Sequence, residues 1–163
     1  MPDATPICQL LDNIRATQGA YYKLTIIAGP SGSGKTRLLK QVATHLQLPS
    51  INLSLLLSQR LLSQTRRQCA LKAEEVAIEV IDEHLQSGLC LDDTEHLFDS
   101  TLRLNPLTFL QDISRNRFIV ASWNGALAGG ELCFAYAGHP DFFSQAVSGY
   151  PVVSVAHDKL QLY

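Results

Sequence analysis

The residues best suited to chemistry in this sequence form one run, Gly-Pro-Ser-Gly-Ser-Gly-Lys-Thr, at positions 29–36. The run matches the pattern GxxxxGK[ST] without a mismatch. Its glycines let the backbone pass close to a polyphosphate, so that several N–H groups can point at anionic oxygens. Lys35 would reach the β- and γ-phosphates, and the Thr36 hydroxyl would bind Mg²⁺. We predict an ATP site whose binding residues are Gly29, Pro30, Ser31, Gly32, Ser33, Gly34, Lys35, Thr36 and Arg37.

The segments on either side of this run predict the strand and the helix that a phosphate-binding loop requires. Residues 21–28 form an apolar stretch that is typical of a buried strand. Residues 35–47 have helical spacing, with Leu38, Leu39, Val42 and Leu46 on one side. The amino end of that helix adds the positive end of its dipole to the loop amides. A glycine-rich turn without a ligand is the alternative, and the agreement of strand, loop, Lys-Thr pair and helix argues against it.

Acidic residues follow another predicted strand, where they could reach bound Mg²⁺. Residues 89–92, Leu-Cys-Leu-Asp, are a short apolar strand that ends in Asp92. Side chains at this end of a strand emerge at the rim of an open α/β sheet, beside the phosphate loop. We therefore predict Asp92 as a metal ligand together with Thr36. Asp93 stands where many ATPases carry the glutamate that polarises the attacking water, and Glu95 is a further catalytic candidate.

A polar residue ends the next apolar strand, Phe-Ile-Val-Ala-Ser-Trp-Asn at residues 118–124. In one large branch of ATPases with this loop, an Asn or Thr at the tip of such a strand orients the hydrolytic water. Asn124 has the type and the place for that catalytic role. The Asn-Gly pair at 124–125 is equally suited to a turn that needs positive φ, and the residues alone leave both interpretations open.

Composition describes an ordinary globular chain and excludes several classes. The 163 residues fit one domain, with 46% hydrophobic and 17% charged residues and a net charge of −2. The apolar runs are too short to span a membrane, and the amino terminus lacks the pattern of an export signal, so we expect a cytoplasmic protein. The cysteines, Cys8, Cys69, Cys90 and Cys133, have no metal-ligand spacing and suit a reducing compartment.

The alternation of predicted strands and helices indicates an α/β fold with a parallel sheet in a three-layer α/β/α sandwich. We predict one domain over residues 1–163, with an amino-terminal helix at 6–18, capped by Thr5, and a core at 20–156. Further predicted helices lie at 54–87, in two pieces broken near 63–65 and ended by Gly88, and at 106–116 and 141–148. Further predicted strands lie at 49–53, 117–122, 132–136 and 152–155.

Several longer stretches resemble one family. The order of helix, phosphate loop, acidic strand and polar strand tip resembles the additional-strand branch of P-loop ATPases, with an AAA+-like core. Beyond these general motifs, the chain is similar to BrxF, the small P-loop family of BREX bacteriophage-exclusion systems, over about residues 10–156. The stretches that carry this similarity are 51–62, 91–98, 105–117, 121–125 and Tyr-Ala-Gly-His-Pro at 136–140.

The resemblance implies a role in defence against phage and a set of partners. Those partners are a larger ATPase, a DNA adenine methyltransferase and an alkaline-phosphatase-like protein, with a homo-oligomer expected for the chain itself. The family motif often has an amide at the position of Asp93, which would favour Glu95 as the catalytic carboxylate. DNA contact is possible in such a system, but no helix-turn-helix, zinc or aromatic–basic pattern in the sequence supports it.

The sequence departs from a complete AAA+ module in two respects. Only eight residues follow Val155, so no carboxyl-terminal helical lid is expected, and no arginine occurs after residue 117. Without a guanidinium at the γ-phosphate, hydrolysis is slower by about 10³–10⁵. We therefore expect a weak ATPase that a neighbouring subunit or partner stimulates. Arg115 and Arg117 are the candidates for insertion in trans, although they could equally be surface arginines that end a helix.

Three functions are compatible with these residues. The first is an assembly-stimulated ATPase. The second is an ATP-gated assembly switch with little hydrolysis, which Asp93 in place of Glu favours. The third is a small nucleotide or metabolite kinase, which would need a polar insertion with arginines to close over the phosphates. The sequence after residue 117 offers no such insertion.

Overall fold

The computed structural model describes residues 6–135, 138–156 and 159–162 of the chain. Its helices are α1 (Pro6–Ala16), α2 (Lys35–Leu46), α3 (Leu53–Leu61), α4 (Arg66–His84) and α5 (Pro106–Ser114). Its strands are β1 (Leu24–Gly29), β2 (Ser50–Asn52), β3 (Leu89–Asp92), β4 (Ile119–Asn124), β5 (Ala126–Ala128), β6 (Glu131–Phe134), β7 (Phe143–Ala146), β8 (Val152–Ala156) and β9 (Lys159–Leu162). Short 3-10 helices lie at Thr17–Gly19, Glu95–Phe98 and Ser100–Leu102.

The main sheet has the order β2-β3-β4-β1-β8-β9. The first five of these strands are parallel, and β9 runs antiparallel to β8. Strand β4 therefore lies between β1, which leads into the phosphate loop, and β3, which ends in Asp92. This order is the one expected for an additional strand between the loop and the acidic residue, and it confirms the predicted P-loop NTPase-like α/β fold.

Helices cover both faces of the main sheet, because the buried strands are apolar on both sides. Helices α3, α4 and α5 pack on one face, against alternate residues of β1 such as Leu24 and Ile26. Helices α1 and α2 pack on the other face, against Ile27 of β1 and Val153 of β8. All six residues of β1 are buried, as expected for a central strand of a parallel sheet. The three layers match the predicted sandwich.

Polar caps explain where several helices begin. Asn52 caps α3 by accepting a hydrogen bond from Leu55 N at 2.8 Å. Thr65 and Gln68 form a reciprocal capping box at the start of α4, and this box is the reason for the predicted break near 63–65. Asn105 caps α5 ahead of Pro106, as predicted. The predicted cap Thr5 lies outside the described residues.

Two local predictions were wrong. The helix predicted at 141–148 is instead β7, because Phe143 and Gln145 point inward while Ser144 and Ala146 are exposed, a spacing of two that suits pairing with β6. Gly88 does not end α4, whose cap residue is Leu85. A Cβ at Gly88 would lie 2.6 Å from Phe118 Cδ1, so the close approach of Phe118 is what requires glycine there.

A second, three-stranded antiparallel sheet, in the order β5-β6-β7, follows the tip of β4. The sequence predicted β6 within 132–136, but the strand stops at Phe134, and Tyr136 lies outside the described residues. Strands β5 and β9 were not predicted. Among the described helices, none combines the length and hydrophobicity that a bilayer crossing requires.

Two buried threonines make a matched test of the core. Thr25 is the second residue of β1, and its Oγ1 has no hydrogen-bond partner among the described residues, whereas Thr94 Oγ1 donates to Ser122 O at 2.6 Å. We expect Thr25→Val to raise the free energy of unfolding by about 1 kcal/mol, because it removes an unsatisfied buried hydroxyl. Thr94→Val is expected to lower it. Urea denaturation measures both, and a destabilised Thr25→Val would contradict the assignment.

Candidate functional site

The phosphate loop connects the end of β1 to the start of α2 in a conformation that depends on glycine. Gly34 caps α2 with φ +98°, a left-handed backbone that other residues adopt at a cost. A Cβ at Gly29 would lie 2.5 Å from Val155 O and 2.6 Å from Ser33 Oγ. The backbone at Gly29 therefore packs closely against β8 and against Ser33, and the loop leads directly into the amino end of α2.

The interior of the loop contains a polar atom that lacks a partner. Ser33 is buried, and its Oγ makes no hydrogen bond within the part of the chain that the structure describes. Buried hydroxyls are normally paired, and an unpaired one needs an explanation. Ser33 Oγ lies against Gly29 beneath the loop, so this hydroxyl belongs to the packing of the loop and not to its ligand-facing side. The glycine-dependent backbone at the amino end of α2, with Lys35 beside it, is what fits a triphosphate tail.

Lys35 lies half-buried at the end of the loop. Its Nζ donates to Pro30 O at 2.8 Å and lies 3.5 Å from Asn124 Oδ1. Burial lowers the pKa of the Lys35 ammonium, and the carboxylates of Glu95 and Asp92 partly oppose that shift. A desolvated cation near two carboxylates and a loop of amides is placed to receive an anionic ligand.

Thr36 and Asp92 meet across α2 and β3. The Thr36 hydroxyl donates to Asp92 Oδ1 at 3.2 Å, and the same oxygen accepts from Asp93 N at 2.9 Å. Hydroxyl and carboxylate oxygens suit Mg²⁺, which keeps most of its remaining positions for water and phosphate oxygens. Among the residues searched, no group of three or more His, Cys, Asp or Glu side chains could hold a metal. The pair therefore fits a cation that the phosphates help to bind.

The two candidate catalytic carboxylates point in different directions. Asp93 has φ +47°, and its Oδ2 accepts from Asn52 Nδ2 at 3.4 Å. Glu95 Oε1 accepts from Asn124 Nδ2 at 2.7 Å. Because Asn124 also lies beside Lys35 Nζ, hydrogen bonds connect the side chains of Lys35, Asn124 and Glu95 in series, and we call this series the Lys35–Asn124–Glu95 chain. Asp93 is outside that chain and faces β2.

These groups line one open cavity of about 1060 Å³, large enough for a nucleoside triphosphate. The cavity brings together the loop, the outer side of α2, the acidic segment and the tip of β4. The predicted residues that line it are Ser31, Gly32, Gly34, Lys35, Thr36, Arg37, Asp92, Asp93, Glu95 and Asn124. Gly29 and Ser33 lie beneath the loop, as described above, and the carbonyl oxygen of Pro30 accepts a hydrogen bond from Lys35 Nζ.

Arg115 and Arg117 are not part of this site in their own chain. They precede β4, whereas the site lies at the carboxyl end of that strand, roughly 23 Å away for seven extended residues. Arg117 forms two bonds to Asp82, from Nε at 2.6 Å and from Nη2 at 2.9 Å, and Arg115 lies over the Tyr21 ring at 4.9 Å. Their action on the site of a neighbouring subunit stays a prediction.

Sequence reasoning missed Asn52 and Thr94. Asn52 caps α3 and also contacts Asp93, and Thr94 ties the acidic segment to β4 through Ser122 O. An asparagine between a short apolar strand and a helical segment could have indicated the cap at Asn52. The contact of Thr94 with another strand had no signal in the sequence. Trp123, which precedes Asn124, is fully buried in the core.

Comparison with known proteins adds little to this geometry. No protein-family model and no curated protein matches the sequence. Among solved structures, the chain is similar to PCH-2 of C. elegans, with a TM-score of 0.42 and 22% identity, over 72% of this chain and 36% of that chain. The chain thus spans little more than a third of that protein. A likeness this weak carries no functional inference, and the fold assignment stands on the strand order and the loop.

The lowered pKa of Lys35 predicts how the stability of the ligand-free protein depends on pH. A lysine with a folded-state pKa below its unfolded value destabilises the fold while protonated, and the penalty disappears as the pH rises through the folded pKa toward 10.5. We expect Lys35→Met to raise the melting temperature at pH 7 and to lose that advantage as the pH approaches 10.5. Lys40→Met, an exposed lysine of the same helix, controls for the loss of one charge. A constant advantage across this range would contradict the prediction.

Proposed function

We propose that this chain binds ATP with Mg²⁺ and hydrolyses it slowly until a second subunit or a partner completes the site. The observation that carries the proposal is the convergence of three elements. The loop after β1, the Thr36–Asp92 pair and the Lys35–Asn124–Glu95 chain all face one cavity. This set provides groups for phosphate binding, for the cation and for activation of water, which are the parts that ATP hydrolysis needs.

Each group has a separate role in the proposed reaction. The loop amides and Lys35 bind the phosphates, and Lys35 balances the negative charge that moves onto the leaving oxygen. Thr36 and Asp92 hold Mg²⁺, which when bound neutralises charge on the β- and γ-phosphates. Most of the catalytic effect in this chemistry comes from position and charge, since the side chains form no covalent bond with the substrate.

Glu95, rather than Asp93, is the carboxylate that we assign to water activation. Glu95 is hydrogen-bonded to Asn124, which stands beside the lysine that contacts the phosphates. Its carboxylate accepts a proton from the attacking water, while Asn124 orients both. Asp93 is held toward Asn52. A general base of this kind contributes about 10²–10⁴ to the rate.

The cleft carries too little positive charge for rapid turnover. Among the described residues that line it, Arg37 is the one arginine, and it is exposed on the outer side of α2. A missing guanidinium at the γ-phosphate costs about 10³–10⁵ in rate. We therefore propose that a neighbouring copy of the chain or a partner supplies that charge.

A second candidate function, an ATP-gated switch, is favoured by one residue. Asn52 both caps α3 and donates to Asp93, and Ser54 N in the first turn of α3 donates to Asp93 O at 2.9 Å. Any movement of Asp93 on nucleotide binding would therefore act directly on the start of α3. Such a coupling could change an interface without rapid hydrolysis.

The setting that we propose is anti-phage defence of the BREX type. This rests on the resemblance of the sequence to BrxF over about residues 10–156. The proposed partners are the larger ATPase, the methyltransferase and the phosphatase-like protein of such systems. Co-purification of the chain with these proteins, with and without ATP, tests the setting separately from the chemistry.

Three substitutions test the chemistry. We expect Lys35→Ala to abolish ATP binding in titration calorimetry, because it removes the cation at the phosphates. Glu95→Gln should retain binding and lower turnover by about 10²-fold or more, since an amide cannot accept the proton. Asp93→Asn should change turnover far less, because Asp93 lies outside the Lys35–Asn124–Glu95 chain.

The outcomes separate the candidate functions. Binding of ATP by Lys35→Ala with unchanged affinity would contradict the site. If neither acidic variant lowers turnover, while Lys35→Ala prevents assembly, the switch is supported over the ATPase. ATP consumption that requires an added nucleoside monophosphate would instead indicate a kinase.

A second prediction concerns the arginine supplied in trans. We expect Arg117→Ala to lower the turnover of the assembled protein by about 10³-fold, the lower end of an arginine's contribution. Asp82→Ala is the matched control, because it breaks the same ion pair and leaves the guanidinium intact. In a mixing experiment, Lys35→Ala protein is added to Arg117→Ala protein. Turnover should be restored, because the first variant still carries Arg117 and the second still carries an intact ATP site.

An equal loss in Arg117→Ala and Asp82→Ala would assign Arg117 a structural role alone. The same pair of measurements on Arg115→Ala then tests the other candidate. Light scattering with and without ATP and Mg²⁺ shows whether the chain assembles at all. A monomer in both conditions would contradict the contribution of a second copy.

A further inference from the structure

A cluster of four aromatic side chains lies directly behind the Asn124–Glu95 pair. Phe98 is at its centre, edge-on to Trp123 at 4.7 Å between ring centroids and stacked on Phe134 at 4.0 Å. Phe143 contacts both Phe98, at 5.9 Å, and Trp123, at 5.6 Å. Phe98 ends the 3-10 helix that begins with Glu95, and Trp123 immediately precedes Asn124. The cluster therefore joins the two segments that carry the pair.

The small sheet supplies the far side of this cluster. Phe134 belongs to β6 and Phe143 to β7. Trp123 Nε1 also donates to Cys133 O of β6 at 3.1 Å. A Cβ at Gly125 would lie 1.8 Å from the same carbonyl oxygen, so the chain passes β6 too closely for any other residue. These contacts fix the tip of β4 against the small sheet.

The Glu95 side chain accepts one hydrogen bond, from Asn124, and the backbone N–H of the next residue, His96, donates to Ser54 Oγ of α3 at 2.9 Å. The side chain of Glu95 is exposed, and its 3-10 helix is a single turn of four residues, a length that has little stability alone. The segment is anchored on both sides of Glu95. Thr94 Oγ1 donates to Ser122 O at 2.6 Å, and the ring of Phe98 packs on Trp123. The Thr94 and Phe98 anchors contact Ser122 and Trp123, the two residues of β4 that precede Asn124.

We propose that Phe98 and Trp123 are positioning residues that hold Glu95 against Asn124, with the β5-β6-β7 sheet as their support. The small sheet then has a role in the site without touching it. The inference rests on the proposed function for its kinetic consequence, but the position of Glu95 can be measured without any nucleotide. A displacement of about 1 Å in a reacting group can cost about 10²-fold in rate.

The test compares Phe98→Leu with Phe109→Leu, a matched loss of one buried ring. Phe109 lies in α5 within the same core, and no ring contact within the described part of the chain joins it to the four-membered cluster. We expect both variants to be destabilised. Phe98→Leu alone should lower kcat by about 10²-fold while KM for ATP stays nearly constant, since the phosphate loop is unaffected. Phe134→Leu, a less buried position, should show the same pattern more weakly and serves if Phe98→Leu does not fold.

A second readout uses the protein without nucleotide. The chain has five asparagines, so the side-chain amide of Asn124 can be assigned in the NMR spectrum by its loss in Asn124→Asp. Glu95→Gln gives the shift that follows when the charged contact is removed. We expect Phe98→Leu to move the Asn124 amide resonances in the same direction, and Phe109→Leu to leave them in place.

The outcomes distinguish this inference from the proposed function. If the wild type fails to bind ATP in calorimetry, the proposed function fails, and the NMR comparison still tests the position of Glu95. If the Asn124 resonances do not move in Phe98→Leu or Phe134→Leu, or do not respond to Glu95→Gln, the positioning role is overturned. An equal fall of kcat in Phe98→Leu and Phe109→Leu would overturn it as well.

Discussion

The site depends on one partly desolvated cation, the ammonium of Lys35. Burial disfavours its charge, and the carboxylates of Glu95 and Asp92 oppose that effect without cancelling it. Its hydrogen bonds to Pro30 O and Asn124 Oδ1 satisfy two of its three donors and leave one for another acceptor. An anion bound at the loop would therefore stabilise the Lys35 ammonium, whose desolvation the neighbouring carboxylates offset only in part. The arrangement requires β1, β3 and β4 to end at the same rim, which the parallel strand order provides.

The groups around this cation are held by different kinds of interaction. The loop is fixed by backbone approach, where Gly29 meets Val155 O and Ser33 with no room for a Cβ. The Thr36–Asp92 pair is fixed by a hydrogen bond between a helix and a strand. The Asn124–Glu95 pair joins two exposed side-chain groups and has apolar packing behind it, where Phe98 and Trp123 meet. Such packing is sensitive to the loss of a few atoms, so a change behind the pair can displace its side chains.

Asp93 and Glu95 show how one acidic segment can serve two purposes. Asp93 turns toward β2 and α3, where Asn52 and Ser54 contact it, and Glu95 turns toward the tip of β4. The first connects the site to a helix on the outside of the protein, and the second connects it to the lysine. The two proposed functions, hydrolysis and switching, are therefore compatible within one site, because the proposals assign them to different carboxylates. The slow turnover expected without an arginine at the γ-phosphate would prolong the ATP-bound state. A long-lived ATP-bound state would favour switching through the contacts between Asp93 and the start of α3.

Much of this protein follows from local sequence. The phosphate loop, its flanking strand and helix, the strand ending in Asp92 and the cap at Asn105 all depend on neighbours within a few residues, and all were predicted. The strand at Phe143–Ala146 was mistaken for a helix because its pairing partner, β6, is what makes it a strand. The hydrogen bond between Glu95 and Asn124, the opposite-rim position of Arg115 and Arg117, and the packing of Phe98 on Trp123 likewise depend on contacts between distant segments. Sequence alone determined which chemical groups this chain carries and which of them are neighbours along the chain. The tertiary structure decided which of them meet, because strand order and side-chain packing join residues that local spacing cannot relate.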